Sequence, residues 1–272
     1  MKFSIITATF NSSATIAGCL SSVSSQTYPD IEHIIIDGGS TDGTLEVIAR
    51  SISKLSVVSS QQSVVVNDKR LTSISLPARV TRVVSEPDNG IYDALNKGIR
   101  MATGEVIGFL HADDMYANNR VIEKVAEIMT QNNCDSCYGD LLYVDKNNTD
   151  RTIRYWKSGE FSPDLLRKGW MPPHPTFFVK RKVYEAFGLF DTSFKIAADY
   201  ELMLRFLGKH RISTCYIPEV LIMMRIGGAS NRSITNILRK SFEDLRIMRM
   251  HNLGGLPTLL RKNLSKIPQF FK

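Results

Sequence analysis

Short apolar runs alternate with amphipathic ones along the first half of the chain. Phe3–Thr9 is a β-rich run and reads as a strand, after which Asn11-Ser12-Ser13 supplies capping chemistry for a helix to about Ser24. Ile31–Ile36 is a second strand ending at Asp37-Gly38-Gly39-Ser40-Thr41-Asp42-Gly43, with a helix beyond it to about Ser53. Val80–Val84 reads as a strand, Asn89–Met101 as a helix, and Glu105–Leu110 as a buried strand leading into His111-Ala112-Asp113-Asp114. This alternation with short connections predicts an α/β fold, with a mainly parallel sheet flanked by helices. Further on, the pattern predicts helices at about Asn118–Gln131, Pro163–Lys168, Arg181–Phe187 and Asp199–Leu207. Strands are predicted at Ser136–Val144, Thr152–Trp156 and near Ile212–Ile217. Lys54–Arg79 is polar and without helical period, and reads as an insertion with a hairpin of Val57–Val58 and Val64–Val66.

Polar chemistry concentrates where these strands end. Adjacent carboxylates such as Asp113-Asp114 repel each other, and a divalent metal or a set of ligand hydroxyls would compensate. An Asp-Asp turn capping the next helix is the plainer alternative. Three other loops follow strand ends: Thr7-Ala8-Thr9-Phe10-Asn11, Asp37–Asp42 and Ser85-Glu86-Pro87-Asp88-Asn89-Gly90. Each alone is ordinary turn chemistry. Four together point to one rim, in the crevice where open α/β sheets bind ligands. Asp37, directly after a strand, suits acceptance of hydrogen bonds from a base or ribose. No G-x-G-x-x-G follows the first strand and no G-x-x-x-x-G-K-[ST] occurs, which disfavours dinucleotide oxidoreductases and P-loop enzymes. Without a glycine cradle, phosphates would be met by Mn2+ or Mg2+, which bind through one or two carboxylates plus substrate oxygens.

Composition narrows the class further. The 272 residues, 43% hydrophobic and 22% charged, are ordinary for a globular protein with a sizeable core. No run approaches the roughly 18 apolar residues of a membrane span, and the N-terminus reads as a strand, so a cytoplasmic location is expected. The lone C-x-x-C of Cys134 and Cys137 lacks a second ligand pair for zinc, leaving structural thiols as the expectation. The charge excess is local: residues 231–272 carry nine Lys/Arg against Glu243 and Asp244, the whole +7 of the protein. Leu259, Leu260, Leu264 and Ile267 recur there at helical spacing with Arg261, Lys262 and Lys266 between them. Such a basic amphipathic tail suits an anionic bilayer surface, or packs back on the globular part; nucleic acid is not expected.

The motif order Thr-x-x-x-Asn, Asp-Gly-Gly-Ser-Thr-Asp-Gly, Ser-Glu-Pro-Asp-Asn-Gly-Ile-Tyr-Asp-Ala-Leu-Asn-Lys-Gly and Phe-Leu-His-Ala-Asp-Asp resembles family 2 glycosyltransferases of the GT-A fold. It is similar to the enzymes of bacterial O-antigen, capsule and exopolysaccharide assembly. The likeness covers about residues 1–230, with 1–115 as the nucleotide-sugar half, 116–230 as the acceptor and catalytic half, and 231–272 as a tail. It implies a nucleotide-sugar donor, usually a UDP sugar, and inverting transfer to a polyprenyl-diphosphate-linked saccharide on the inner face of the membrane. Carried across, Thr7, Thr9, Asn11, Asp37, Glu86 and Asn96 surround the donor, Asp113 faces ribose or metal, and Asp114 is the metal ligand. His111 stands where the family's longer acidic stretch begins, so two carboxylates remain. The Ala-Asp-Tyr-Glu-Leu segment implies Asp199 as the base that deprotonates the acceptor, with Glu201 in reserve; a helix N-cap is the alternative for Asp199. His174, in a proline-rich loop, is a weaker acceptor candidate. Trp156 and Trp170 are either sugar-stacking or buried. Nucleotidyl transfer and a catalytically silent nucleotide-sugar binder are the competing functions.

Overall fold

The computed structural model describes residues 1–57, 72–76, 79–227 and 234–264. In chain order the first elements are β1 (Phe3–Thr9), α1 (Ile16–Ser24), β2 (Ile31–Asp37), α2 (Thr44–Val57), β3 (Thr72–Leu76), β4 (Arg79–Ser85), α3 (Ile91–Met101), β5 (Val106–Phe109), β6 (Asp114–Tyr116) and α4 (Val121–Gln131). Then come β7 (Ser136–Val144), β8 (Thr152–Trp156), α5 (Pro163–Arg167), β9 (Phe178–Lys180), α6 (Arg181–Phe187), α7 (Ala198–Met203), β10 (Thr214–Arg225), α8 (Ile234–Met250) and α9 (Leu256–Leu264). They form two compact units, one of residues 1–127 with 178–182, the other of 128–177 with 183–272.

The first unit carries the expected parallel sheet. β4, β2, β1 and β5 lie side by side in parallel, with β3 antiparallel along β4 and β9 antiparallel along β5. Every residue of β1, β2 and β5 is buried, as a sheet covered on both faces requires. α3 packs tightly on β1: a Cβ at Gly98 would sit 2.4 Å from Ile6 Cγ2, so only glycine permits this approach. At the other end of the strands, buried Glu32 accepts hydrogen bonds from Ser4 Oγ, Thr103 N (2.6 Å), Thr103 Oγ1 (2.8 Å) and Gly104 N (3.0 Å), and pairs with Lys2 at 3.2 Å. Burial pushes its carboxyl up, but these donors outweigh it and hold Glu32 at about 2. The predicted Val57–Val58 and Val64–Val66 hairpin falls largely outside the described residues. The hairpin that is described pairs β3 with β4, at the end of that segment.

In the second unit β7 pairs antiparallel with β8 and parallel with β10. β10 runs well past the predicted Ile217. Pro218 cannot donate to a ladder, and the strand passes it through register shifts between Ile217 and Ile222. Asp199–Leu207 was expected as one α-helix; α7 stops at Met203 and continues as a π-helical stretch, Leu204–Lys209. The C-terminal segment expected as a basic amphipathic helical tail forms two helices, α8 and α9. Lys262 and Leu259, both expected on a bilayer-facing side, are buried in this unit at 2% and 7% exposure. Cys134 and Cys137 are buried thiols, and burial pushes Cys137 well up.

Candidate donor site at the strand ends of the first unit

Register sets the rim. Thr9 pairs with Asp37 and Asp37 with Ser85, so the last residues of three parallel strands stand level. Gly38 N donates to Thr9 O (2.9 Å) and Glu86 N to Asp37 O (3.0 Å), extending the ladder into the loops. The three loops follow from that common edge, and β5 ends beside β1 in the same parallel set.

The first two loops are locked into each other. Asn11 takes a left-handed conformation (φ 48°), which asparagine tolerates better than most residues. From there its Oδ1 accepts from Thr41 N (2.9 Å), while its own N–H donates to Ser40 Oγ (2.8 Å). Ser12 N donates to Thr44 Oγ1 (2.8 Å) and Ser13 N to Asp42 Oδ2 (3.0 Å). Asp37 is fully buried and its carboxylate receives Gly39 N (3.1 Å), Ser40 N (3.0 Å), Ser40 Oγ and Ser85 Oγ (2.7 Å). Asp37 thus braces its own loop and ties it to the β4 end. The third loop closes against the second: a Cβ at Gly38 would meet Asp88 Oδ2 at 2.5 Å.

Two features of this rim face outward or stand unsatisfied. Thr9 Oγ1 is buried with no hydrogen-bond partner among the described residues, a cost of about 1–3 kcal/mol that a ligand would relieve. Phe10, between Thr9 and Asn11, is 61% exposed. Sequence reading passed over Phe10, although a large aromatic inside a polar turn was the signal available. Glu86 is half-exposed and pairs with Lys97 at 3.0 Å; Lys97 also lies 3.7 Å from Asp93. Burial lowers the Lys97 ammonium, but Glu86 and Asp93 outweigh it and raise it overall.

Asp114 is fully buried at the start of β6, its N–H donating to His111 O (2.9 Å), while Asp113 is part-exposed. Among the described residues no group of three or more His, Cys, Asp or Glu could hold a metal. Two adjacent hard oxygen donors still fit a cation that takes its remaining ligands from phosphates and water. Two of the expected donor residues are buried within their elements. Thr7 is buried on β1 with its hydroxyl 2.9 Å from His33 Nε2, and Asn96 is buried on α3.

In the second unit, Asp199 lies in the first turn of α7, part-exposed, its Oδ1 accepting from Tyr200 N (2.8 Å). It is not the helix N-cap, which is Ala197. Glu201 is buried and engaged by Arg205 (2.9 Å) and His251 (3.0 Å). Burial raises its carboxyl, and the hydrogen bonds from His251 and Arg205, with the Arg205 charge, more than reverse this, so Glu201 is held low. His174 is buried in a short 3-10 turn, edge-on to Phe190. Trp170 donates to Ser158 O (3.0 Å) and packs on Tyr138 and Phe161, and Trp156 stacks under Arg154.

Comparison with known proteins agrees with this architecture. A PGL/p-HBAD biosynthesis glycosyltransferase of Mycobacterium bovis is 28% identical over 233 residues, 84% of this chain and 79% of the relative. An uncharacterized glycosyltransferase of Nostoc sp. is 29% identical, over 85% of this chain and 66% of its own. Among solved structures, S. aureus TarS 1–349 in complex with UDP matches with a TM-score of 0.65 and 17% identity, over 98% of this chain and 72% of that one. The chain spans only 39% of the longer S. aureus TarS chain, over 92% of its own length at 18% identity and a TM-score of 0.64. The mannosyltransferase PcManGT of Pyrobaculum calidifontis, with GDP-Man and Mn2+, matches at 0.63 and 17% identity, over 96% and 68%. These likenesses bear out the expected GT-A fold. The sequence profile described as Glycosyl transferase family 2 matches residues 4–188, more than half of the chain, and the protein belongs to that family.

Proposed function

We propose that this protein is a metal-dependent inverting glycosyltransferase that moves a sugar from a UDP-sugar to a hydroxyl of a polyprenyl-diphosphate-linked saccharide in cell-surface polysaccharide assembly. The carrying observation is the level row Thr9, Asp37 and Ser85, with Phe10 standing exposed beside it and the buried Thr9 hydroxyl awaiting a donor. In this reading Phe10 stacks on the base, the interlocked loops hold the nucleoside, and residues 1–115 form the donor half. UDP is favoured because TarS was solved with UDP and with UDP-GlcNAc, although the likeness to PcManGT keeps GDP sugars in the test.

Asp113 and Asp114 would hold Mn2+ or Mg2+, which supplies Lewis-acid stabilisation of the leaving diphosphate. In residues 116–230, Asp199 takes the proton of the acceptor hydroxyl as it attacks the anomeric carbon. Its place in the first turn of α7, part-exposed while Glu201 is engaged inside, supports Asp199 as the base.

A peripheral place on the inner face of the cytoplasmic membrane fits the C-terminal helices. Leu256, Leu260 and Leu264 recur every fourth residue of α9 and are 57%, 56% and 61% exposed, with Arg261 between them. No helix among the described residues is long and apolar enough to cross a membrane, so the helix would lie on the bilayer surface.

The test is a thermal-shift panel of UDP, GDP and their sugars with and without Mn2+, followed by transfer to a synthetic prenyl-diphosphate saccharide. A metal-dependent shift with UDP and loss of transfer on chelation are expected. Consumption of a nucleoside triphosphate with release of pyrophosphate would replace this reading with nucleotidyl transfer.

A further inference from the structure

The entry to α7 is defined by a residue 46 positions further along the chain. Lys195 N donates to Glu243 Oε1 (3.0 Å), and Ile196 N and Ala197 N both donate to Glu243 Oε2 (2.9 Å each). The Glu243 side chain is only 12% exposed, and Arg239, one turn earlier on α8, lies 3.3 Å from Oε1. Three successive backbone N–H groups reach one carboxylate only when the chain curves around it. An ionised carboxylate also makes such bonds shorter and stronger than a neutral acceptor does. α7 is six residues long and its N-cap, Ala197, makes no side-chain cap, so nothing in its own sequence fixes where it starts. Asp199 follows Ala197 by two residues.

The same C-terminal helices hold α7 at two further points. His251, just past the end of α8, sits 3.0 Å from Glu201, and Lys262 of α9 lies 3.1 Å from the centre of the Tyr200 ring. Residues 197, 200 and 201, on either side of Asp199, are therefore all fastened by α8 and α9.

We propose that Glu243 is a positioning residue for Asp199, and that the C-terminal helices belong to the catalytic half rather than forming an appended tail. This rests on the reading of Asp199 as base. Glu243 fixes the path of residues 195–197, and that path sets where the Asp199 carboxylate leaves the helix. Displacing a catalytic group by about 1 Å costs on the order of 100-fold in rate.

The test compares E243Q, E243D and D199N in the full chain. Glutamine keeps the volume but offers one acceptor oxygen for three N–H groups, whereas aspartate keeps both oxygens. E243Q is expected to speed native-state amide exchange at residues 195–197 by about tenfold or more while β7 amides keep their protection. With the best donor of the panel, kcat falls by roughly 10- to 100-fold at unchanged donor KM. E243D restores part of both, and D199N loses transfer with its exchange unchanged. Unchanged exchange or unchanged kcat in E243Q beside an inactive D199N overturns the proposal, as does a loss of kcat matched by an equal loss of donor affinity. An active D199N marks failure of the base assignment instead, and the exchange data then still report whether Glu243 fixes the segment.

Discussion

Lys262 Nζ lies 2.9 Å from Asp244 Oδ1, with the two side chains only 2% and 3% exposed. A residue counted from sequence among the surface charges of a basic tail is thus half of an interior ion pair joining α9 to α8. Burial drives the Lys262 ammonium down to about 8, with Asp244 opposing that fall. Removing one partner leaves the other charge buried alone, so K262A or D244A should each cost about 3–5 kcal/mol in urea unfolding, while K262M/D244L should cost much less. Single variants that unfold like the parent would show the pair to be energetically idle.

Glu32 makes stability sensitive to acid. Its folded value of about 2 lies below the ordinary 4.5, so the unfolded chain binds the extra proton between those values. The contribution is whole above about pH 4.5 and is lost as pH falls toward 2. It amounts to on the order of 3 kcal/mol. E32Q should be destabilised at pH 7, and its stability should fall less steeply than the parent's between pH 4.5 and 2. Parallel curves would count against this network.

Asp114 and Asp199 should fail differently. D114N is expected to abolish the Mn2+-dependent part of the UDP thermal shift and with it transfer. D199N should retain the shift and lose transfer by several orders of magnitude. Full transfer by D199N, or an unaltered metal response in D114N, would refute the corresponding role.

Phe10 has little packing to lose. F10A should leave the melting temperature nearly unchanged yet weaken UDP affinity by about 1–3 kcal/mol, the worth of a base stacked on an aromatic ring. Calorimetric titration with UDP reads this directly, and an unchanged Kd would remove Phe10 from the site.

The exposed leucines of α9 bear on membrane attachment. L256S/L260S/L264S should abolish co-sedimentation with anionic vesicles and leave UDP binding intact. The parent's binding should weaken as salt is raised. Equal sedimentation of parent and variant would exclude this face.

How far the fold was legible varied with the range of the forces involved. β1, β7, β8 and α6 lie where hydrophobic pattern and turn residues put them, because those signals are local. β10 runs beyond the strand expected near Ile212–Ile217, and its passage of Pro218 depends on register shifts that exist only in its pairing with β7. β6 and β9, three residues each, carry too little pattern to be seen without their partners. The loops Thr7–Asn11, Asp37–Asp42 and Ser85–Gly90 were visible as a group, since Asp, Gly, Asn and Ser after strands are a local signal. Phe10 was passed over because exposure is a tertiary property.

By itself the sequence determined the alternating α/β plan, the four polar strand ends and the family-like motifs, all written in neighbouring residues. Tertiary structure decided what each polar group does once its neighbours arrive. It turned Thr7 toward His33, gave the Asp37 carboxylate to its own loop, engaged Glu201 with Arg205 and His251, and set Glu243 under the start of α7. The physical reason is that a buried polar atom must find a partner. For these residues the partner lies 26, 3, 4, 50 and 46 positions away, and only the nearest of them show in the sequence.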